Sequence, residues 1–377
     1  MRVALLSKAL VVAAYRSKLM ELDRAGVEVV GLAPSKWVEE GRAVSFEPAE
    51  PGGGRTIQIP MAWNGHFHLH YYPALRRVLR SLNPDIVHVD EEPYNLATYL
   101  AFRDALAASA RPIFFAWQNI ARRYPPPFEP MESWVYRHSP FALAGSEAAA
   151  SVLREQGYGG EITVIPQFGV DLSRFTPRPS NGTRFSVGYV GRLVQEKGIA
   201  DLIAAFERLP PPARLIIAGE GPLAGYVETA TASLRQQGRC ERYPRLPSSD
   251  VPALLQRLDV VVLPSRTTSR WREQFGRVLI EAMACEVAVV GSDSGEIPGV
   301  IGDAGLIYPE GDVEALAARL TSLMVDGALR RRLAATGRAR AEERYSQAAV
   351  AVKTVEVYRR MMEIGVEDWT SSKTLSP

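Results

Sequence analysis

The sequence predicts an α/β protein built from two doubly wound parallel sheets, and two observations support this prediction. Apolar, strand-like runs alternate with amphipathic, helix-like stretches along most of the chain, which is typical of parallel sheets covered by helices. The 377 residues are also enough for two domains of ordinary size. We expect domains at 1–178 and 179–345, followed by a last helix and tail at 346–377.

The first half alternates strands and helices. RVALLS, VEVVGLAP and DIVHVD read as strands, whereas TIQIPMAW and HFHLHYY read as short strands or as a strand and an extended segment. Helices are expected from Lys18 to Ala25 and from Pro73 to Leu82. Pro and Ser in Thr176–Thr183 predict a linker, and Thr370–Pro377 is expected to be a disordered tail.

In the second half, strand ends carry charged or glycine-rich turns. GYVGRLVQEKG places Arg192 and Lys197 on a strand-to-helix turn, where two cations suit a diphosphate. The alternative is two exposed basic side chains in a loop. RLIIAGEGPL reads as a strand that ends at Gly219, and LDVVVLPS reads as a strand that ends at Pro264 and Ser265.

The stretch EQFGRVLIEAMA carries two glutamates around the start of an apolar helix. Glu273 is expected at a loop tip, and Glu281 about two turns into the helix. Between them, Phe275, Gly276 and Arg277 offer backbone N–H groups at a helix N-terminus, which favours an anion. Carboxylates beside a phosphate site suit a sugar nucleotide, although a surface helix with two solvated glutamates is the simpler alternative.

Taken in order, these segments resemble the retaining glycosyltransferases of family 4. The resemblance is carried by GYVGRLVQEKG, IIAGEGP, DVVVLPS and EQFGRVLIEAMACEVAVVGSDSGEIPGVIGDAG, and more weakly by PDIVHVDEEP, LAGSEAAASVL and VIPQFGVDLSRF. It implies the GT-B fold, with two Rossmann-like domains facing a cleft and a C-terminal helix that crosses back to the first domain. The first domain would bind the acceptor and the second the nucleotide-sugar donor.

The resemblance also implies roles for individual residues. Glu281 would bind the ribose hydroxyls, and Glu273 would face the donor sugar. Arg192 and Lys197 would bind the diphosphate and stabilise the leaving group. The remaining donor-binding residues would approach the donor through backbone atoms or line its base; they are Gly191, Gly219, Arg245, Leu246, Phe275, Gly276, Arg277 and Val278.

The implied reaction moves a sugar from a nucleoside diphosphate to a hydroxyl acceptor with retention, in a polysaccharide, glycolipid or natural-product pathway. In this family the leaving diphosphate is thought to help deprotonate the acceptor on the same face. The main catalytic task is then to stabilise charge on the leaving group. Because no metal-binding Asp-x-Asp motif ends a strand, we expect no metal site and no required cofactor, with stimulation by magnesium still compatible.

The chain departs from the family pattern in three places. SKALVVAAYRSK lacks the glycines that many members carry after the first strand. Gln118 and Asn119 stand where a histidine is common, and an amide can bond a sugar hydroxyl but is no general base. Glu286 and Ala288 stand where glycine and proline are common after the acidic helix, so the glycine that would end the helix in a left-handed conformation is absent.

Candidates for acceptor or sugar contact in the first half lie at two places, at the end of the strand-like DIVHVD or just after it, and in the stretch IFFAWQNIARRY. They are His88 and Glu92, together with Gln118 and Asn119; a surface salt bridge is the alternative role for Glu92. HFHLH places three histidines at alternate positions, which on a strand would share one face and suit either zinc or a hydrated surface.

The amino-acid composition limits which classes of partner and which compartment are expected for this protein. Lys plus Arg is 44 and Asp plus Glu is 42, so a net charge of +2 does not favour nucleic acid. Two cysteines give neither metal spacing nor a disulfide framework, and a cytoplasmic setting is the simplest expectation. Neither a signal peptide nor a membrane span is predicted. Arg76, Arg77 and Arg80 fit either peripheral contact with anionic lipid or a solvated helix face.

Two other functions compete with transfer. A sugar-nucleotide epimerase of the same fold would need catalytic acids or bases, which the cationic pair fits less well. A non-catalytic nucleotide-sugar module would not need both glutamates and both cations. A dinucleotide enzyme is disfavoured because no G-x-G-x-x-G follows the first strand.

Overall fold

Two parallel sheets, one in each of two units, form the framework of this protein. In the computed structural model the described residues are 1–39, 42–48, 54–177, 184–244, 246–365 and 369. Residue contacts group 1–169 with the segment that starts at Gln347 as the first unit, and Val170–Ser346 as the second. Most of the predicted linker, at 178–183, and the predicted tail at 370–377 lie outside the described residues.

The first unit is a seven-stranded parallel sheet flanked by helices. In chain order its elements are β1 (Arg2–Leu6), α1 (Ser17–Arg24), β2 (Glu28–Ala33), β3 (Lys36–Glu39), β4 (Arg42–Ser45), β5 (Thr56–Gln58), α2 (Leu75–Leu82), β6 (Ile86–Val89), α3 (Leu96–Ala107), β7 (Arg111–Ala116), α4 (Phe128–Arg137), β8 (Phe141–Ala144), α5 (Glu147–Glu155) and β9 (Glu161–Val164). The strand order is β5-β2-β1-β6-β7-β8-β9, and β3 and β4 form a separate antiparallel hairpin.

The second unit is a six-stranded parallel sheet. Its elements are β10 (Ser186–Val190), α6 (Ile199–Phe206), β11 (Arg214–Ala218), α7 (Ala224–Ala230), α8 (Ala232–Gln236), β12 (Cys240–Tyr243), α9 (Val251–Leu255), β13 (Val260–Leu263), α10 (Arg277–Ala284), β14 (Ala288–Ser292), α11 (Ile297–Ile301), β15 (Gly305–Tyr308), α12 (Val313–Val325) and α13 (Gly327–Arg340). The strand order β12-β11-β10-β13-β14-β15 changes direction between β10 and β13, which is where doubly wound sheets bind ligands.

Helix periodicity explains how the first sheet is covered. On α2, Leu75, Leu79 and Leu82 recur at helical spacing and are buried against one face of the sheet. The last helix, α14 (Gln347–Glu363), packs on the other face, where Tyr358 is buried in a cluster with Leu5. The predicted α/β class and the return of the C-terminal helix to the first unit are therefore confirmed.

The histidine stripe does not form a strand. The chain between β5 and α2 contributes only an isolated antiparallel bridge between Ala62 and Tyr71. The segment that starts at His66 turns, because the N–H groups of Leu69 and His70 both donate to the carbonyl of His66. The histidines therefore do not share one sheet face, and the strand alternative for HFHLHYY is wrong, because short-range turn hydrogen bonds replace the strand ladder.

The turn after α10 adopts the conformation that glycine usually supplies. Helix α10 ends at the C-cap Cys285, and the next residue, Glu286, has a φ of 56°. A left-handed residue directly after the C-cap is a common way to end a helix, and glycine is preferred there because it has no Cβ. Glu286 is exposed, so its side chain contributes little packing.

Replacing Glu286 tests this conformation. We expect Glu286→Gly to raise the free energy of unfolding by about 0.5–1 kcal/mol, because glycine adopts a positive φ without strain. Glu286→Val should lower it by about 1–2 kcal/mol, because a β-branched side chain clashes with the backbone in that conformation. Urea unfolding of both variants measures the difference, and equal stability of the two would show that the left-handed turn is absent.

Candidate active site

The two charged motifs of the second unit meet at the switch point of its sheet. Lys197 ends a 3-10 turn (Gln195–Lys197) that follows β10, and Glu273 lies in the loop between β13 and α10. The Nζ of Lys197 lies 2.5 Å from Oε2 of Glu273, which also accepts a 2.7 Å hydrogen bond from the hydroxyl of Ser265. Residues 76 positions apart in the sequence thus form one charged pair.

This pair is shielded from water. The side chain of Glu273 is 7% exposed and that of Lys197 is 20% exposed. The indole of Trp271 covers the ammonium group, with 5.1 Å between the Nζ of Lys197 and the ring centroid. A partly desolvated cation beside an aromatic face exerts a stronger field than one in bulk water. Glu273 was expected at a loop tip, whereas the structure buries its carboxylate under these neighbours.

The N-terminus of α10 lies directly after Glu273. Gly276 is its N-cap, with a φ of 78°, and makes no side-chain cap hydrogen bond. A Cβ at this position would lie 2.6 Å from Cδ2 of Leu263, so both conformation and space require glycine. Phe275 and Gly276 directly precede α10, and Arg277 and Val278 begin it, so the positive end of the helix dipole lies within this predicted segment, close to Glu273 in the chain.

Glu281 lies on α10, one turn into the helix and not two as expected, because the helix starts at Arg277. Its Oε1 forms a 2.8 Å ion pair with Nε of Arg277, and its side chain is 12% exposed. Burial raises the pKa of Glu281, while the Arg277 guanidinium acts in the opposite direction. The carboxylate is held in one place by its neighbour on the helix.

Glycines bring the strand-end loops of this unit into backbone contact. A Cβ on Gly219 would lie 1.8 Å from the carbonyl oxygen of Gly191, and a Cβ on Gly198 would lie 1.8 Å from that of Pro264. Gly219 and Gly198 also have φ values of 153° and 62°. Larger side chains here would push the loops after β10, β11 and β13 apart.

The other donor-side candidates have the following places. Arg192 is exposed, and its carbonyl accepts a 2.6 Å hydrogen bond from the hydroxyl of Tyr189. Leu246 is half-buried and packs against a core cluster of the second unit. Arg245 lies outside the described residues. Strand β12, which precedes both, was not predicted because CERY lacks an apolar run.

The first-unit candidates are buried or bonded within their own unit. His88 lies inside β6, not after it, and its Nδ1 is 2.6 Å from the hydroxyl of Tyr358 on α14. Burial lowers the pKa of His88 well below its usual range. The side-chain amide of Gln118 donates to the carbonyl of Ile120 and accepts from the hydroxyl of Tyr124. Asn119 is also buried.

Glu92 supports the loop after β7. Its Oε1 accepts 2.9 Å hydrogen bonds from the backbone N–H groups of Trp117 and Gln118. Full burial raises the pKa of Glu92 to about 8, although these two N–H groups act to lower it. The alternative of a surface salt bridge is therefore wrong for this residue, and its contact with an acceptor stays a prediction.

The region without glycines after β1 contains a buried cation. The ammonium of Lys8 pairs with the carboxylate of Glu91. It also lies 4.8 Å from the ring centroid of Trp37, 4.5 Å from that of Phe67 and 5.8 Å from that of Trp117. The sequence did not indicate this cluster, because its members come from five separate segments.

Among the residues that the structure describes, no group of three or more His, Cys, Asp or Glu side chains is placed to hold a metal ion. The lack of a metal requirement stays a prediction.

The pH dependence of stability should report on Glu92. The folded state keeps this proton up to about pH 8, whereas the unfolded carboxyl loses it near 4.5, so the raised pKa lowers stability as pH rises between these values. Glu92→Gln keeps an oxygen for the two N–H groups and cannot ionise. We expect the variant to gain up to a few kcal/mol over the wild type between pH 5 and pH 8.

Urea unfolding at pH 5, 6.5 and 8 measures this gain. Glu129→Gln is the matched control, because Glu129 is exposed on the nearby helix α4. A stability difference between Glu92→Gln and wild type that does not change with pH would contradict the raised pKa.

Comparison with known proteins identifies the family. Residues 18–174 match the family model described as Glycosyltransferase Family 4, and residues 174–340 match the model described as Glycosyl transferases group 1. The alpha-maltose-1-phosphate synthase of Mycolicibacterium smegmatis is 35% identical over 217 residues, which are 54% of this chain and about half, 52%, of that relative's length. The glycogen synthase of Mycobacterium tuberculosis is 29% identical over 373 residues, 94% of this chain and 88% of that relative.

Solved structures agree on the fold. HepE of Anabaena in complex with UDP has a TM-score of 0.73 at 17% identity, covering 96% of this chain and 100% of that one. Sucrose-phosphate synthase of Thermosynechococcus elongatus has a TM-score of 0.70 at 18% identity, covering 96% and 99%. The two family models together match residues 18–340, which shows that the chain belongs to glycosyltransferase family 4. The similar solved structures show that it has the GT-B fold.

Proposed function

We propose that this protein is a retaining glycosyltransferase that moves a sugar from a nucleoside diphosphate to a hydroxyl acceptor. The observation that carries the proposal is the Lys197–Glu273 pair, which lies at the switch point of the second sheet beside the N-terminus of α10. A cation, a carboxylate and a positive helix end within one site match the diphosphate and the hydroxyls of a sugar nucleotide.

The diphosphate is assigned to the positive groups. Lys197 and Arg192 follow β10, and the N-terminus of α10 follows the loop that holds Glu273. When the bond between the sugar carbon and the diphosphate breaks, charge develops on the leaving oxygen, and these groups stabilise it. No metal is required in this scheme, and added magnesium is compatible with it.

The sugar and the nucleoside are assigned to the carboxylates and the glycine loops. Glu273 accepts hydrogen bonds from donor-sugar hydroxyls and Glu281 from ribose hydroxyls, because ionised carboxylates are pure acceptors. Gly191 and Gly219, whose loops touch, allow close approach of backbone to phosphate. The base is assigned to the segment Arg245–Leu246.

Retention of the configuration at the sugar carbon determines where the proton of the acceptor hydroxyl goes. The acceptor oxygen bonds to the sugar carbon on the face that the diphosphate leaves, and the acceptor proton moves to the departing diphosphate oxygen. The enzyme then needs no separate general base, which fits Gln118 and Asn119, since neutral amides cannot accept the proton. Acceptors in a polysaccharide, glycolipid or natural-product pathway fit this chemistry, and the first unit is the proposed acceptor domain.

Two other activities remain as alternatives. A sugar-nucleotide epimerase would release no acceptor-dependent diphosphate, and a binding module would bind the donor without turnover. The shielded Lys197–Glu273 pair favours transfer, because it combines a leaving-group cation with a sugar-facing carboxylate.

Nucleotide binding is the first test of the donor site. We would compare thermal unfolding with UDP, GDP, ADP, dTDP and CMP for wild type, Glu281→Ala and the exposed control Glu356→Ala. A ligand at a hundredfold excess over its Kd stabilises the folded state by about 2.7 kcal/mol. We expect one diphosphate to stabilise wild type and Glu356→Ala but not Glu281→Ala. No stabilisation by any of them would count against the assigned donor.

Turnover tests the chemistry. With the matching nucleotide sugar and a panel of acceptors, Lys197→Ala and Glu273→Gln should lower acceptor-dependent diphosphate release by about 10²- to 10³-fold, because each removes one group that contacts the reacting donor. The controls Lys353→Ala and Glu356→Gln alter exposed residues of α14 and should keep full activity. Near-normal rates in both site variants would show that the site is wrongly assigned.

We also propose a cytoplasmic enzyme that contacts anionic membranes peripherally. Cys240 and Cys285 are both free and buried, which fits a reducing compartment. On α2, Arg76, Arg77 and Arg80 are all exposed on the side opposite to the buried leucines, so the helix presents a basic face. Within the described part of the chain, no helix is both long and apolar enough to cross a bilayer.

Vesicle co-sedimentation tests this contact. Each arginine near an anionic surface contributes about 1 kcal/mol, so replacing Arg76, Arg77 and Arg80 by alanine should weaken binding to phosphatidylglycerol vesicles by about 10²-fold. The control replaces three exposed arginines of the second unit, Arg331, Arg332 and Arg344. Equal loss in both triple variants, or binding to purely zwitterionic vesicles, would contradict the proposed surface.

A further inference from the structure

Two chain segments carry the charged pair of the second unit. We name them the Lys197 turn (Arg192–Gly198, between β10 and α6) and the Glu273 loop (Ser265–Gly276, between β13 and α10). They follow neighbouring strands that pair in the sheet. The distance between the two segments determines where a lysine ammonium and a glutamate carboxylate stand relative to a ligand.

Arg266 joins these two segments independently of the Lys197–Glu273 pair. Its backbone N–H donates a 2.7 Å hydrogen bond to the carbonyl of Glu196, next to Lys197. Its guanidinium binds the carboxylate of Asp201 through both oxygens, with 2.6 Å from Nε and 2.5 Å from Nη2. Bidentate pairs of this kind fix orientation as well as distance.

The two partners of this link differ in how deeply they are buried. The side chain of Asp201, in the first turn of α6, is 6% exposed, whereas that of Arg266 is 46% exposed. The buried end is therefore held by the core of the unit, and the exposed guanidinium reaches down to it from the Glu273 loop. Removal of Arg266 alone would also leave the buried Asp201 carboxylate without its cation, which lowers stability, so a variant that neutralises Asp201 as well is needed to isolate the effect on the position of the loop.

The link matters most when a donor is bound. Under the proposed function, Lys197 turns to the diphosphate and Glu273 to the sugar, so their direct 2.5 Å contact has to open. Once it opens, it no longer sets the spacing of the two segments. The Arg266–Asp201 pair involves neither Lys197 nor Glu273, so it stays in place when a donor binds.

We infer that Arg266 is a positioning residue that holds the Glu273 loop at catalytic spacing from the Lys197 turn through Asp201 and the Glu196 carbonyl. This inference rests on the proposed function and adds a residue to it that the sequence motifs did not indicate. The other side of the loop has separate anchors: the hydroxyls of Thr267 and Ser294 lie 2.9 Å apart, and the N–H of Thr267 donates to Glu310 at 2.7 Å. Loss of Arg266 should therefore shift the loop without unfolding it.

The variants are Arg266→Ala, Arg266→Lys, Asp201→Asn and the double variant Arg266→Ala/Asp201→Asn. Arg208→Ala is the matched control, because Arg208, which follows α6, is about as exposed as Arg266, at 44%, and forms a 2.6 Å ion pair with Glu314. Wild type and Glu273→Gln are measured in the same series. They report on the proposed function itself, so its failure would be visible separately from failure of the Arg266 role.

We expect Arg266→Ala to lower kcat by about 10- to 100-fold, since small misplacements of reacting groups have effects of this size. Donor KM and the Kd for the nucleoside diphosphate should change less than about threefold. Asp201→Asn should resemble Arg266→Ala, the double variant should be no worse than either, and Arg266→Lys should recover part of the rate, because it keeps the charge without the bidentate geometry.

Amide hydrogen exchange supplies a readout that needs no turnover. In the donor-free protein, Arg266→Ala should speed exchange in peptides that cover the Glu273 loop and the Lys197 turn, whereas Arg208→Ala should not. The inference is overturned if these peptides exchange as in the wild type, or if kcat equals that of Arg208→Ala. It is also overturned if kcat, KM and thermal stability all decline together, because that would indicate general loosening of the unit.

Discussion

The ion pair between Lys197 and Glu273 is the contact on which the organisation of the proposed donor site depends. A buried carboxylate without a partner would be costly, and a shielded ammonium likewise. Each group compensates the other, with Ser265 and Trp271 completing the surroundings of the pair. The two loops can hold the Lys197 ammonium and the Glu273 carboxylate at the switch point of the sheet, because the two charges neutralise each other when no donor is bound.

This arrangement suggests how resting and working states differ. In the resting state the pair keeps both side chains in place, so neither has to be ordered when a ligand arrives. Under the proposed function, a sugar nucleotide offers each member a better partner, namely phosphate for the lysine and hydroxyls for the glutamate. The Arg266–Asp201 pair and the glycine contacts supply a rigid frame that does not change partners. Lys197 and Glu273 can therefore change partners while their loops keep their positions, which is compatible with electrostatic preorganisation of the site.

The first unit uses buried charge differently. Glu92 supports a loop through two backbone N–H groups, and Lys8 with Glu91 fills a space among aromatic rings. The carboxyl ends of β1 and β6 thus carry charged side chains that stabilise the local structure. Sequence reasoning took Glu92 as a candidate ligand contact, with a surface salt bridge as the alternative. Its burial and its bonds to two backbone N–H groups exclude the surface salt bridge, and its contact with an acceptor stays a prediction.

The sequence by itself determined the fold class and the family, and it indicated the segments of the proposed donor site, because apolar strand runs, helix periodicity and ordered motifs are local patterns. It did not determine that Lys197 pairs with Glu273, that Glu92 binds the N–H groups of Trp117 and Gln118, or that the segment from His66 turns. The contacts of Glu273 and Glu92 depend on which strand ends become neighbours in the sheet. The turn at His66 depends on short-range hydrogen bonds, which the alternating histidines do not encode. Only the tertiary structure brings such distant or competing groups together and excludes water from them, which decides their partners and their charge.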